Sequence, residues 1–92
     1  MLSSKIEFYT DSLINSSLEI VDEEILETMN EATILMNNIL ANNFDLAKAE
    51  NIINDLIASS FFIDDFDTCE LLFEVSQFIE MMIIEVHREE VS

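Results

Sequence analysis

Neither glycine nor proline occurs anywhere in the chain of 92 residues. Glycine is the usual residue at positive φ, and tight β-hairpin turns depend on it, so its absence disfavours a sheet built from short hairpins. Proline, which ends or kinks helices, is missing as well. Half of the residues are apolar, which is enough to bury a modest core in a domain of this size. We therefore predict one all-α domain over residues 1–92.

Apolar residues recur at spacings of three and four in four segments, which predicts a small bundle of about four helices with long second and fourth helices. The first helix is expected to start at Ser3 or Ser4 and to end near residues 15–17. The second is expected to follow Ser16 or Ser17 and to run to about Ala41.

The third helix is expected to be capped by Asn43 or Asp45 and to end near residues 59–60. For the fourth, Asp67 and Glu70 form a variant of the capping box, and the helix should run to about Glu89. The apolar residues 61–63 between these two helices are expected to tuck into the core. No internal repeat is evident in the sequence.

The fourth helix carries more apolar residues than one face can hold. Either the other three helices wrap it, or Phe73, Met81 and Ile84 pack against their equivalents in a second copy of the chain. We favour the homodimer.

Twenty Asp and Glu residues stand against three Lys and Arg, which gives a formal net charge of −17. Such a charge repels phosphate backbones and anionic membranes, so direct binding to nucleic acid or to a membrane is excluded as a function. A basic protein is the expected partner. Solubility alone is the other explanation for the acidity.

The most regular acidic feature is a row at intervals of four residues, formed by Glu19, Glu23, Glu27 and Glu31 on the predicted second helix. At a rise of about 1.5 Å per residue, neighbouring carboxylates would stand about 6 Å apart. Like charges at this interval oppose helix formation, and no basic residue relieves them. A rigid row of this kind can imitate the phosphates of a nucleic-acid strand. The remaining predicted partner-binding residues are Asp22, Glu24, Asp64, Asp65, Asp67, Glu70 and Glu74.

The residue types that catalysis or metal binding requires are scarce. One cysteine, Cys69, and one histidine, His87, cannot build a nucleophile, a base and an orienting group, so we predict no enzyme and no catalytic residues. Asp65 and Asp67 match the spacing of a calcium loop only in part, because the glycine and the further oxygen ligands are missing. We expect no metal and no cofactor.

The N-terminal segment lacks the basic flank and apolar stretch of a signal peptide, and the longest strictly apolar run, residues 81–84, is far too short to cross a membrane. A single cysteine also allows no internal disulfide. We therefore expect a cytoplasmic protein.

Three functions remain open. The leading hypothesis is a DNA mimic that blocks the nucleic-acid-binding surface of a restriction, CRISPR or transcription protein; in charge, size and helical composition the chain is similar to phage-encoded inhibitors as a functional class. The second is an immunity protein or antitoxin that neutralises a cationic toxin through the same acids and an apolar anchor such as Phe61 or Phe62. The third is a small dimeric secretion chaperone or adaptor that uses the fourth helix as a groove.

Overall fold

The computed structural model describes the backbone of residues 2–91 and the side chains of residues 2–86. It contains four helices: α1 (Leu2–Ser17), α2 (Glu23–Leu40), α3 (Leu46–Ser60) and α4 (Phe66–Val91). No strand occurs within the described backbone. The prediction of an all-α bundle of four helices is confirmed, and the 26-residue α4 is the longest element.

The connections are all short, at residues 18–22, 41–45 and 61–65. Short connections make successive helices antiparallel, so the first and third loops lie at one end of the bundle and the second at the other. We call the part formed by residues 18–22 and 61–65 the double-loop end. Within the described residues, α2 contacts every other helix, α4 does the same, and α1 does not contact α3.

The core is built from one face of each helix and is filled by branched apolar and methionine side chains. Tyr9 of α1 packs against Phe78 of α4, with ring centroids 5.0 Å apart. The largest side chains that are fully buried are Leu13, Met36, Ile39, Leu56, Leu72, Ile79 and Met82.

The predicted start of α2 was wrong. Ser17 is the last residue of α1, and its hydroxyl donates a hydrogen bond of 2.6 Å to the carbonyl of Ile14. The cap of α2 is Asp22, whose carboxylate accepts the backbone N–H groups of Glu24 at 2.9 Å and Ile25 at 3.3 Å. Residues 18–22 therefore form a loop.

The predicted capping box of α4 was wrong as well. The cap is Asp65, whose carboxylate accepts the backbone N–H of Thr68 at 3.3 Å and its hydroxyl at 2.7 Å. Asp67 lies inside the first turn. Its negative charge interacts favourably with the helix dipole there, but its side chain is not the N-cap.

The apolar loop 61–63 enters the core at one residue only. The backbone N–H groups of Phe61 and Phe62 donate to the carbonyls of Ala58 and Ser59, which extends the end of α3 by a tight turn. That turn leaves both phenylalanine side chains exposed, and only Ile63 packs on the core. The expectation that the whole segment tucks inward is corrected.

The loop after α2 contains a residue at positive φ, and that residue is an asparagine. Asn42 adopts φ 55°, its N–H donates to the carbonyl of Ile39, and the N–H of Asn43 donates to the carbonyl of Asn38. These two bonds make a Schellman motif with asparagine at the left-handed position. Asp45 then caps α3 by accepting the N–H of Ala47 at 2.9 Å, as predicted.

The two helical hairpins are copies of one pattern, which we did not predict from the sequence. The caps Asp22 and Asp65 stand 43 positions apart, and at this offset residues 2–40 align with residues 45–83 without a gap. Ten of the 39 pairs are identical. They are Lys5/Lys48, Glu7/Glu50, Leu13/Leu56, Ile14/Ile57, Ser16/Ser59, Ser17/Ser60, Ile20/Ile63, Asp22/Asp65, Glu27/Glu70 and Glu31/Glu74.

Burial follows the same repeat. Every buried residue of the first hairpin except Thr28 has a buried equivalent 43 positions later. Ser60 also repeats the bond of Ser17, since its hydroxyl donates to the carbonyl three residues back at 2.6 Å. The fold is therefore a tandem pair of helical hairpins in which α1 corresponds to α3 and α2 to α4.

Candidate functional site

Carboxylates of two helices meet in a groove between α2 and α3. Glu24, Glu27 and Glu31 line it from α2, and Asp55 lines it from α3. Their spacing of three and four residues places the three glutamates on one side of α2. We call this surface, with Asp22 at its upper end, the α2–α3 acidic groove.

The acidic row predicted from sequence is changed by the true start of α2. Glu19 lies in the loop and lines a different groove at the double-loop end, while Glu23 is the exposed first residue of α2 and does not line the acidic groove. The row on α2 is thus Glu24, Glu27 and Glu31 in place of Glu19, Glu23, Glu27 and Glu31. The physical reason is the cap at Asp22, which keeps Glu19 out of the helix.

Asp55 was missed because nothing in α3 alone distinguishes it from other polar residues of that helix. Only the packing of α3 on α2 brings it to the same groove as Glu27 and Glu31. Within residues 2–86, no hydrogen bond involves the side-chain oxygens of Glu24, Glu27, Glu31 or Asp55. These carboxylates are available to a partner.

The second hairpin carries the same acidic pattern. The first hairpin has Asp22, Glu24, Glu27 and Glu31, and the equivalent positions hold Asp65, Asp67, Glu70 and Glu74. The two acidic clusters predicted separately from sequence are thus repeat equivalents. Asp64 is outside this pattern and is an exposed residue of the double-loop end.

The last acid of each row has a corresponding neighbour on the adjacent helix. Glu31 shares a groove with Ile52 of α3, and the corresponding residues are Glu74 and Tyr9 of α1. Burial raises the pKa of Tyr9, and the negative charge of Glu74 raises it further. Glu74, the last acid of the second row, therefore lies near α1, as Glu31, the last acid of the first row, lies near α3.

The double-loop end forms a second groove, which we call the end groove. Ile20 and Ile63 line it and also pack on the core. Val21 and Phe62 line it as well, although most of their surface is exposed. Each loop thus directs one isoleucine inward and leaves its apolar neighbours outside.

The residues predicted to form a homodimer lie on the outer side of α4. Phe73, Met81 and Ile84 are all exposed, and at about 100° per residue they fall within one broad face. Glu70 and Glu80 belong to that face too. The remaining three helices therefore do not wrap α4 completely.

Metal ligation and membrane spanning have no counterpart in the described part of the chain. Between residues 2 and 86, no group of three or more His, Cys, Asp or Glu side chains is arranged to hold a metal ion. No helix in that part is both long and apolar enough to cross a bilayer. Cys69 is a half-buried free thiol, and the side chain of His87 lies outside the described residues.

Comparisons with protein-family models, with curated proteins and with solved structures found no match for this chain. Fold resemblance therefore suggests no function, and the residues of the chain itself have to carry the inference. The repeat supplies an internal comparison, because each position of the first hairpin can be set against its equivalent in the second.

Proposed function

We propose that this protein is an acidic inhibitor that mimics a nucleic acid and occupies the basic nucleic-acid-binding surface of a target protein. The observation that carries the proposal is the retention of three acidic positions in both hairpins, at Glu24/Asp67, Glu27/Glu70 and Glu31/Glu74. The fourth retained pair, Asp22/Asp65, is explained by its capping bonds. Neighbouring surface positions on the same helices have changed freely: Glu23 corresponds to Phe66, Asn30 to Phe73 and Asn37 to Glu80.

Solubility alone is a weaker explanation of this pattern. A soluble surface needs charge of either sign and no fixed positions, and alternating Glu and Lys would stabilise a helix while like charges four residues apart destabilise it. Here Glu27 and Glu31, and again Glu70 and Glu74, stand at that unfavourable interval. Retaining both pairs at the expense of helix stability favours a role in binding.

The rows also suit an extended, regularly charged partner site. Along α2, the steps from Glu24 to Glu27 and from Glu27 to Glu31 correspond to about 4.5 and 6 Å of helix, and Asp55 adds charge from the neighbouring helix. A protein that binds a nucleic-acid backbone presents Lys and Arg side chains along a comparable path. Binding would be mainly electrostatic, with an association rate that falls as salt rises.

Substitutions that remove the negative charges of the acidic groove test the proposal. The test variant is Glu24→Gln/Glu27→Gln/Glu31→Gln. The matched control is Glu7→Gln/Asp11→Asn/Glu85→Gln, which removes the same charge from exposed positions elsewhere. Each tagged protein is used to capture partners from nuclease-treated lysate, with elution by a salt gradient and identification by mass spectrometry.

We expect the wild type and the control to retain a nucleic-acid-binding protein that competing DNA duplex displaces, and the groove variant to release it at distinctly lower salt. Equal retention by the groove variant and the control would show that the groove does not bind the target. A partner that duplex cannot displace would show that mimicry is wrong.

A second function, an immunity protein or antitoxin against a cationic toxin, is favoured by one observation. Phe62 is exposed and lines both the acidic groove and the end groove, so an apolar anchor stands directly beside the acids. Such a complex would keep part of its affinity at high salt, because apolar contacts are not screened.

The homodimer remains a proposal that is linked to the chaperone or adaptor hypothesis. Phe73, Met81 and Ile84 offer an exposed apolar face, whereas Glu70 and Glu80 on that face oppose the approach of a second acidic chain. Light scattering at micromolar concentration decides the matter, since a mass near 10.6 kDa would remove the dimer and twice that value would support it.

A further inference from the structure

The double-loop end exposes an unusual concentration of large apolar side chains. Five residues in and beside its two loops are between 73% and 91% exposed. They are Leu18, Val21, Phe61, Phe62 and Phe66. Single exposed apolar residues are ordinary on a protein surface, but a group of this kind at one end of a small domain marks an interaction site.

The group belongs to a formed surface with a groove at its centre. Val21 and Phe62, which come from different loops, line the end groove together. Its floor is held by Ile20 and Ile63, the repeated isoleucines that pack on the core. Because Phe62 also lines the acidic groove, the apolar surface is directly adjacent to that groove.

The charged residues around the double-loop end are all acidic. Residues 18–24 and 61–67 contain seven acids and no basic residue. Lys5 and Lys48 lie in the first turns of α1 and α3, at the opposite end of the bundle. A second copy of this chain would bring a similar set of acids against these, which like-charge repulsion disfavours.

We infer that the double-loop end docks a segment of the target protein that carries large apolar side chains flanked by Arg or Lys. The apolar side chains would fill the end groove against Phe62 and Val21, and the flanking cations would face Asp64 and the neighbouring acids. An arginine can in addition stack on an exposed phenylalanine ring. The inference rests on the proposed function only in taking the partner to be a basic protein.

A synthetic peptide pair provides the probe. The first peptide is an amphipathic helix of Leu and Arg with a single Trp on its apolar face, and the second replaces each Leu with Ser at unchanged charge. Because the protein contains no tryptophan, the emission of the peptide reports its burial without background. The test variant is Phe61→Ser/Phe62→Ser, and the control is Phe8→Ser/Leu46→Ser, which removes two exposed apolar side chains from α1 and from the start of α3.

We expect the Leu/Arg peptide to bind the wild type with blue-shifted emission, and the test variant to lose that shift and about tenfold or more in affinity. The control variant should bind like the wild type, and the Ser/Arg peptide should not distinguish the proteins. Equal losses in test and control variants, or no loss in the test variant, would overturn the inference. Circular dichroism establishes that each variant is folded, and Phe62→Glu, which copies the equivalent Glu19, is a second test.

The peptide and capture experiments distinguish failure of this docking surface from failure of nucleic-acid mimicry. If the Leu/Arg peptide binds through Phe61 and Phe62 while duplex does not displace the captured target, the docking surface stands and mimicry falls. If duplex displaces the target but the phenylalanine variants bind the peptide normally, mimicry stands and the docking surface falls.

Discussion

Asp22 and Asp65, 43 positions apart, perform the same structural task. Each is the last residue of a five-residue loop that begins after a Ser-Ser pair, and each uses its carboxylate to accept hydrogen bonds at the start of the second helix of its hairpin. The partners differ, since Asp22 accepts two backbone N–H groups and Asp65 accepts one N–H and the hydroxyl of Thr68. The two caps fix where both acidic rows begin.

Removing either cap should destabilise the fold. We expect Asp22→Ala and Asp65→Ala each to lower the free energy of unfolding by about 1 kcal/mol, because free N–H groups at the helix start lose their acceptor. Urea unfolding followed by circular dichroism measures the change. Asp64→Ala is the control, since it removes the same charge without a capping bond, and a control as damaging as Asp65→Ala would contradict the assignment of the cap.

Asn42 is expected to respond in opposite directions to two small substitutions. Its φ of 55° suits glycine and strains a residue with a Cβ, so Asn42→Gly should leave stability equal or higher, and Asn42→Ala should lower it by about 1 kcal/mol. Thermal unfolding of the three proteins side by side is the measurement. An alanine variant as stable as the glycine variant would argue against the Schellman motif.

Thr10 has a buried hydroxyl oxygen for which no hydrogen-bond partner is present among the described residues. The equivalent position of the second hairpin holds Ile53, which is buried and apolar. Thr10→Val should therefore raise the free energy of unfolding by about 1 kcal/mol, since an unsatisfied polar group leaves the interior. Chemical denaturation measures it, and a clear loss of stability would mean that the hydroxyl is satisfied in solution.

Tyr9 should make stability fall at alkaline pH. Burial, with a further contribution from Glu74, raises the pKa of Tyr9 in the folded protein above the ordinary value near 10. Between the two pKa values the unfolded chain has lost the proton and the folded chain keeps it, so the free energy of unfolding decreases as pH rises through this window. Below about pH 10 both states are protonated and this contribution is constant.

The single tyrosine of the chain makes the titration direct. Tyrosinate absorbance of the folded protein should rise at higher pH than in denaturant, and Glu74→Gln should move the midpoint part of the way back. Tyr9→Phe should remove this share of the alkaline loss of stability. A folded-state midpoint equal to that in denaturant would contradict the environment of Tyr9 described above.

The loop 61–65 should accept the residues of its repeat equivalent. Phe61→Leu/Phe62→Glu copies Leu18 and Glu19, which occupy the same positions in the first loop, and the N–H of Glu19 donates to the carbonyl of Ser16 as that of Phe62 donates to Ser59. Since both phenylalanines are exposed, we expect the free energy of unfolding to change by no more than about 0.5 kcal/mol. A large loss would mean that the rings contribute to folding.

The sequence predicted the helices well where periodicity was supported by a strong cap. Asp45 and the apolar spacing of α3 located that helix correctly. At α2, Leu18 and Val21 continued the spacing of three and four, which predicted them to be helical, yet both are exposed loop residues. A helix that starts after Ser17 and one that starts after Asp22 both preserve the apolar pattern. Periodicity therefore cannot show that Ser17 ends α1 and that Asp22 is the cap of α2.

The candidate site was predictable only in part for a related reason. Glu27 and Glu31 are neighbours within one helix, and their proximity follows from sequence spacing alone. Asp55 comes from another helix, and its place in the groove depends on how α3 packs on α2. The repeat was open to detection from sequence, since Ser16-Ser17 and Ser59-Ser60 are followed at equal distances by Ile and Asp, but most of the apolar pairs differ in residue type and hide the correspondence.

Negative charge is distributed unevenly along the bundle, because residues 18–24 and 61–67 hold seven acids and no basic residue, whereas Lys5 and Lys48 offset part of the acids at the opposite end. In the field of a positively charged target, a torque acts on such a body before any contact is made. The protein would turn during approach so that its loops lead, which reduces the share of encounters lost to wrong orientations. Exchanging Lys5 and Glu23 would weaken this alignment without altering the net charge.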